Sequence, residues 1–245
     1  MSIAPDNITA YDVKVEKPEH IPELVNLTQK VGQNTPIMIG LDHQEGYEGR
    51  HAMRGRYEDF GDLEPGEEVF RRPDGGNTVY TDDSKYALTF GVPLEPSEDK
   101  MANSYAEVLH DFIDERTDLT FQRGERDLYL GGDQLVGVSQ RFHYESAVLR
   151  AYWAEEMPET YNLMYKDGLS DEQVEAHQQA MQKSADVLGG QDFYQTVMEE
   201  FHADELKSGD FLSYFTSNPE KSAQELLEEN GRHEAKVCFL ERPEE

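Results

Sequence analysis

Apolar positions along the chain change their period several times, and each change predicts an element. Tyr11–Glu16 alternates and predicts a strand, while Pro18–Lys30 opens on proline and repeats Ile21, Leu24, Val25 and Leu27 at helical spacing. Pro36–Leu41 is a short apolar run, the pattern of a buried strand. Asp42–Gly66 holds glycine, glutamate and arginine with no sustained period and predicts a long loop, a feature that compact domains keep mainly for function. Glu68–Arg72, Thr78–Tyr80 and Tyr86–Val92 predict three successive strands. Glu98–Arg116 predicts a helix, with Met101, Tyr105, Val108, Leu109 and Phe112 on one face. A second group of strands follows at Leu119–Gln122, Asp127–Leu130, Leu135–Gln140 and Ala147–Trp153.

From Ser170 the pattern turns helical. Ser170–Leu188 opens with a Ser-Asp-Glu-Gln capping run, Asp192–Glu205 follows a Gly-Gly break, and Pro219–Asn230 ends at Gly231. Ala235–Leu240 predicts a last strand. Strands divided by a helix, with helices gathered toward the end, predict an α+β fold: a mixed sheet flanked by helices, with a helical C-terminal region.

Two stretches carry candidate chemistry. Arg71–Asp82 reads Arg-Arg-Pro-Asp-Gly-Gly-Asn-Thr-Val-Tyr-Thr-Asp, and Asp127–Gln140 reads Asp-Leu-Tyr-Leu-Gly-Gly-Asp-Gln-Leu-Val-Gly-Val-Ser-Gln. Each has the form strand, glycine turn, strand. Gly75 and Gly76 permit positive φ and close backbone approach, as a loop around a ligand requires. Arg71 and Arg72 stand just ahead of them, and guanidinium groups grip carboxylate or phosphate oxygens in a bidentate fork. Without more, the same residues also describe surface charges beside an ordinary hairpin.

These stretches resemble the catalytic domain shared by lipoate–protein ligases, octanoyltransferases and biotin–protein ligases (the BPL/LPL family), the lipoate-ligase branch above all. That branch carries Arg-Arg-x-Ser/Thr-Gly-Gly-x-Ala-Val-x-His-Asp and, about fifty residues later, Asn-Asp-Leu-x-x-x-Gly-Arg-Lys-x-x-Gly-x-Ala-Gln. Arg71, Arg72, Gly75, Gly76, Val79 and Asp82 fit the first motif; Asp127, Leu128, Gly132, Gly137 and Gln140 fit the second without gaps. Pro36-Ile-Met-Ile-Gly40 is similar to an early strand of the family. The likeness spans roughly residues 10–206.

The resemblance implies a BPL/LPL catalytic-type domain over 1–206, with 207–245 a helix–strand extension that either stands apart or belongs to the same domain. It implies ligand contacts from Arg71, Arg72, Gly75, Gly76, Thr78, Val79, Tyr80, Asp127, Gly132, Gly137 and Gln140, with His143 and Tyr144 further along the same strand toward the acyl pocket. Asp127 is either a strand-end cap or the residue that pins the lipoyl site. The implied ligands are ATP with Mg2+ and lipoate or octanoate. The implied partner is the lipoyl-acceptor domain of a 2-oxoacid dehydrogenase or a glycine-cleavage protein.

The chain also departs from the family pattern. The catalytic lysine of the second motif falls on Gln134 and the arginine before it on Asp133; the histidine of the first motif falls on Thr81, and the arginine after the early strand on Leu41. In the family that lysine holds the acid's carboxylate while it attacks the α-phosphate of ATP, then the carbonyl oxygen while an acceptor lysine attacks the adenylate. Glutamine donates a hydrogen bond but brings no charge. Losing one preorganised donor costs about 3–4 kcal/mol, or ~10²–10³ in rate. Lys85 is the nearby lysine that could substitute, and the polar run before it predicts a solvated turn. A cysteine-dependent octanoyltransferase is disfavoured, because Thr120-Phe121 stands where that branch has its cysteine and Cys238 lies far away.

Composition narrows the picture. The formal net charge is −29, from 51 acidic and 22 basic residues spread along the whole chain. Such a surface repels itself unless salt screens it, as it does over about 3 Å in 1 M salt. The pattern predicts a protein of an extreme halophile, and the alternative is an acidic face for a basic partner. It argues against nucleic acid or anionic membrane as a partner, because no basic stripe exists to displace counterions. The single cysteine and the unpaired spacing of the eight histidines predict no metal site built from His and Cys. No run approaches the ~20 apolar residues of a membrane span, and Met1-Ser-Ile-Ala-Pro-Asp lacks the basic and apolar regions of a secretory signal, so a cytoplasmic location is expected. Two functions compete: a lipoate–protein ligase-like enzyme impaired at Gln134, and a non-enzymatic relative that binds a lipoyl group, an acyl-adenylate or an acyl-carrier domain.

Overall fold

The structure is a computed structural model that describes residues 7–17, 20–33, 35–42, 51–54, 69–71, 78–81, 85–93, 103–117, 119–123, 127–143, 146–154 and 168–215. Arg72, Gly75, Gly76 and Tyr144, and the expected elements at 219–230 and 235–240, lie outside the described residues, as do the side chains of Arg71, Tyr80 and His143.

Eight strands form one sheet in the order β11-β1-β2-β6-β10-β9-β8-β7. They are β1 (Thr9–Lys14), β2 (Ile37–Asp42), β6 (Lys85–Pro93), β7 (Gln122–Arg123), β8 (Leu128–Leu130), β9 (Asp133–His143), β10 (Ser146–Ala154) and β11 (Asp204–Lys207). β1 pairs in parallel with β2 and β11, and the remaining pairs are antiparallel. A second sheet has the order β4-β3-β5, from β3 (His51–Arg54), β4 (Val69–Arg71) and β5 (Val79–Thr81). The helices are α1 (His20–Gly32), α2 (Asn103–Asp114), α3 (Asp171–Leu188), α4 (Gly190–Glu200) and α5 (Ser208–Phe215). None is long and apolar enough to cross a membrane.

Every residue of β2 and β10 is buried, which explains their near-continuous apolar sequence: helices cover both faces of the sheet. Alternation sorts their side chains. Ala147, Leu149, Ala151 and Trp153 pack with Leu109 and Phe112 of α2 and Phe193, Tyr194 and Val197 of α4. Val148 and Tyr152 pack with Ile21, Leu24 and Val25 of α1, Phe211 of α5, and Met53 and Val79 of the small sheet. The small sheet therefore lies over the α1 side. On the opposite side, α4 comes so close to β2 that a Cβ at Gly40 would sit 2.5 Å from the Tyr194 hydroxyl, which donates to Asp12 Oδ1 at 2.7 Å.

Three expectations are corrected. The loop expected over Asp42–Gly66 contains β3, and the strand expected from Leu119 is confined to Gln122–Arg123. The helix expected to run to Glu205 stops at Glu200, after which Asp204–Lys207 joins the sheet edge beside β1. Backbone pairing with a strand distant in sequence overrode local helical pattern there. α5 then returns to the core, with Phe211 and Phe215 both edge-on to Tyr11 at 5.4 Å.

Candidate functional site

A cavity of about 290 Å³ opens at one end of the large sheet, at the lower end of the range for small-molecule sites. The start of β9, the end of β10 and the first residue of β6 form its floor, because antiparallel register sets Gly137 opposite Tyr152 and Lys85 opposite Ala154. Thr78 and Val79, at the start of β5, close one side, and α3 the other with His177, Ala180, Met181 and Ser184.

The turn that presents β9 is built by glycine. Gly131 and Gly132 have φ of 64° and 96° and connect Leu130 to its partner Asp133, a two-residue hairpin that needs positive φ at both central positions. Asp127 braces it from below: its Oδ1 accepts the Val138 amide at 2.8 Å, beside an irregularity at Leu128/Tyr129. Burial, helped by the nearby Asp127 carboxylate, pushes the Tyr129 phenol above its usual pKa. Asp127 thus caps the strand through the Val138 amide, and it also lines the cavity. Gln134 is exposed at the rim, and a Cβ on Gly137 would meet its Nε2 at 3.4 Å, so the missing side chain at 137 leaves space beside that amide.

α3 is fastened to the same hairpin. Lys183 Nζ donates to the Leu130 carbonyl and pairs with Asp133 Oδ2 at 2.5 Å, and Ser184 Oγ donates to the Leu135 carbonyl at 2.7 Å. Ser170 caps the helix and Gln173 closes the reciprocal capping box, as its sequence predicts. His177, Ala180, Met181 and Ser184 face the cavity at i, i+3, i+4 and i+7, along one face of the helix.

Of the residues expected at the site, Thr78, Val79, Asp127, Gln134 and Gly137 line this one cavity. Gly132 sits in the adjoining turn, and Gln140 is buried further along β9. Lys85 is the main correction. It does not sit in a solvated turn: it begins β6, is 6% exposed, and lines the cavity. Its neighbour across the cavity is His177, whose pKa lies below the usual imidazole value, first through burial and then through the charge of Lys85.

The sequence also gave no sign of two arginines beneath α1. Arg150 is 1% exposed, donates from Nε to Thr89 Oγ1 at 3.2 Å and lies 4.5 Å from the centre of the Tyr152 ring. Arg141 donates to Asn26 Oδ1 at 2.6 Å. Among the described residues no group of three or more His, Cys, Asp or Glu converges as a metal site.

No protein-family model matches the chain, and no curated protein matches it in sequence. Solved structures do. LipL1 of P. falciparum in complex with lipoate aligns with a TM-score of 0.55 at 12% identity, over 96% of this chain and 74% of that one. Lipoate-protein ligase A bound with ATP aligns at 0.53 and 12% identity, over 91% and 97%. The bipartite lipoate protein ligase of Thermoplasma acidophilum, studied with its E2 lipoyl domain, aligns at 0.50 and 12% identity, over 90% and 95%. The fold is that of the BPL/LPL catalytic domain.

Proposed function

We propose that this protein handles a lipoyl or octanoyl group in the manner of a lipoate–protein ligase. Activation would use ATP with its Mg2+, and the acceptor would be a lysine on a lipoyl domain. One observation carries the reading: Asp127, Gln134 and Gly137, three positions of the second motif, line one cavity of acyl-group size in a BPL/LPL fold. Solved structures of that fold include a complex with lipoate and one with ATP. In the reaction, a carboxylate oxygen attacks the α-phosphorus of ATP, and pyrophosphate leaves with the electron pair of the broken P–O bond. The neutral amine of the acceptor lysine then attacks the acyl carbon, and AMP leaves with the pair of the C–O bond as the amine gives up a proton. The chain's own residues shape the acyl slot through Tyr152, Trp153 and Met181, and Ser184 and Lys183 hold α3 over it. Lipoate-dependent exchange of labelled pyrophosphate into ATP tests this. Slow exchange with lipoate or octanoate, raised in Gln134→Lys, is expected, and exchange with neither, together with no binding of their adenylates, would refute it.

The acidity of the chain belongs to the same proposal as an adaptation to concentrated salt. With a formal charge of −29, self-repulsion weakens the compact state in dilute buffer. The melting temperature is expected to rise from low salt to molar KCl, and a flat or falling profile would count against the adaptation.

A further inference from the structure

We infer that His177 is the base that takes the proton from the acceptor amine, presented at the mouth of the cleft by helix α3. The inference rests on the acyl-handling reading of the site and adds to it where the proton of the transfer step goes. An acceptor amine reaches the acyl carbon from solvent, so its base has to stand where the cavity opens. His177 on α3 and Gln134 on β9 both line the cavity and are both exposed. Lys85, Trp153 and Ser184 line it as buried groups further in.

The titratable side chains that line the cavity, among the described residues, are Lys85, Asp127, Tyr152 and His177. Lysine and tyrosine ordinarily keep their protons near neutral pH, and a carboxylate is a weak base, whereas an imidazole exchanges its proton in that range. Asp127 also commits Oδ1 to the Val138 amide at 2.8 Å. The place of the His177 ring is set by its helix: Ser184, at i+7, donates to the Leu135 carbonyl at 2.7 Å, and Lys183 pairs with Asp133 at 2.5 Å. Partial burial, and then the charge of Lys85 on β6, lower the His177 pKa and favour its proton-accepting form. Asp127, just ahead of β8, is the carboxylate that shares the cavity with it.

In the transfer step the amine nitrogen forms a bond to the acyl carbon and becomes cationic. A ring nitrogen of His177 takes one proton from it, and AMP leaves with the electron pair of the C–O bond. The imidazolium then gives its proton to solvent, which its exposed position allows. A positioned base of this kind contributes typically ~10²–10⁴ in rate.

The test is single-turnover transfer from preformed lipoyl-AMP to the side-chain amine of Nα-acetyl-lysine amide in molar KCl. The intact wild type, His177→Gln and His177→Ala are compared, each above the rate without protein. Supplying the adenylate removes any dependence on its synthesis at Gln134. Native melting and lipoyl-AMP affinity are expected to stay close to wild type, and His177→Asn replaces either variant that fails to melt natively. Transfer is expected to fall by ~10² in both variants, with added imidazole returning at least about tenfold in His177→Ala. Wild-type transfer, corrected for the neutral fraction of the amine, is expected to decline as pH drops through the NMR titration midpoint of His177, and His177→Gln to lose that inflection. Undiminished transfer by His177→Gln would overturn the inference, as would a loss that imidazole does not restore while lipoyl-AMP still binds. Wild-type protein that binds lipoyl-AMP but transfers no faster than the blank would also overturn it and leave the acyl cleft standing. If the wild type does not bind lipoyl-AMP, the reading of the cleft falls, and the inference with it.

Discussion

Gly91→Ala is expected to lower the melting temperature more than any surface change in this protein. A Cβ at Gly91 would lie 2.1 Å from the carbonyl oxygen of Thr28 and 2.9 Å from its carbonyl carbon. The contact is mutual, since a Cβ at Gly32 would fall 2.5 Å from the Gly91 carbonyl carbon. Helix α1 therefore rests on β6 backbone to backbone, and the obstructing atoms cannot rotate aside as a side chain would. Overpacking a core costs typically 1–3 kcal/mol where side chains can yield. Here the whole helix must lift, carrying Leu24 and Val25 off Ile39 and Val148, so a loss of about 3 kcal/mol or more is expected. For a chain of this size that is a fall of roughly 6–12 °C. Thermal melting in molar KCl measures it, and a shift below about 2 °C would mean that α1 does not make this contact.

The second large effect concerns binding. Ala180→Trp replaces a methyl group on the cavity face of α3 with an indole, in a space of about 290 Å³. Ala180 is half-buried at the slot rather than in the core, so the fold can keep its packing while the slot fills. Affinity for an acyl-adenylate is expected to drop at least a hundredfold, about 2.7 kcal/mol, with melting changed by a few degrees at most. Unchanged affinity would place the acyl group elsewhere.

How much of this was legible in the sequence varied with the physical cause of each feature. α3 was written locally: Ser170 and Gln173 close a capping box wherever they occur at that spacing. β2, β6 and β10 were legible because strands buried on both faces need apolar residues at nearly every position. β11 was not, since Asp204-Glu-Leu-Lys207 has no apolar alternation and becomes a strand only through parallel pairing with β1. β3 was hidden similarly inside a polar stretch, with Met53 its one described core residue.

At the site, the glycine turn of β8–β9 and Asp127 were readable because they depend on backbone geometry. Lys85 was misread because Asp82-Asp83-Ser84 looks like a turn, whereas the register of β6 on β10 draws the next residue into the cavity wall. The contribution of α3 could not be read at all, because its place over β9 depends on pairs such as Ser184 with the Leu135 carbonyl, formed only once the chain has folded.

The central claim is that the cleft lined by Lys85, Asp127, Gln134, Gly137 and α3 holds an activated acyl group. Calorimetric titration of the intact protein with lipoyl-AMP in molar KCl, with Ala180→Trp alongside, tests it most directly. The account predicts saturable one-site binding of about micromolar strength or tighter, near −8 kcal/mol, lost in Ala180→Trp. Absence of binding by lipoyl-AMP and octanoyl-AMP alike, in a protein that melts cooperatively under the same conditions, would contradict it.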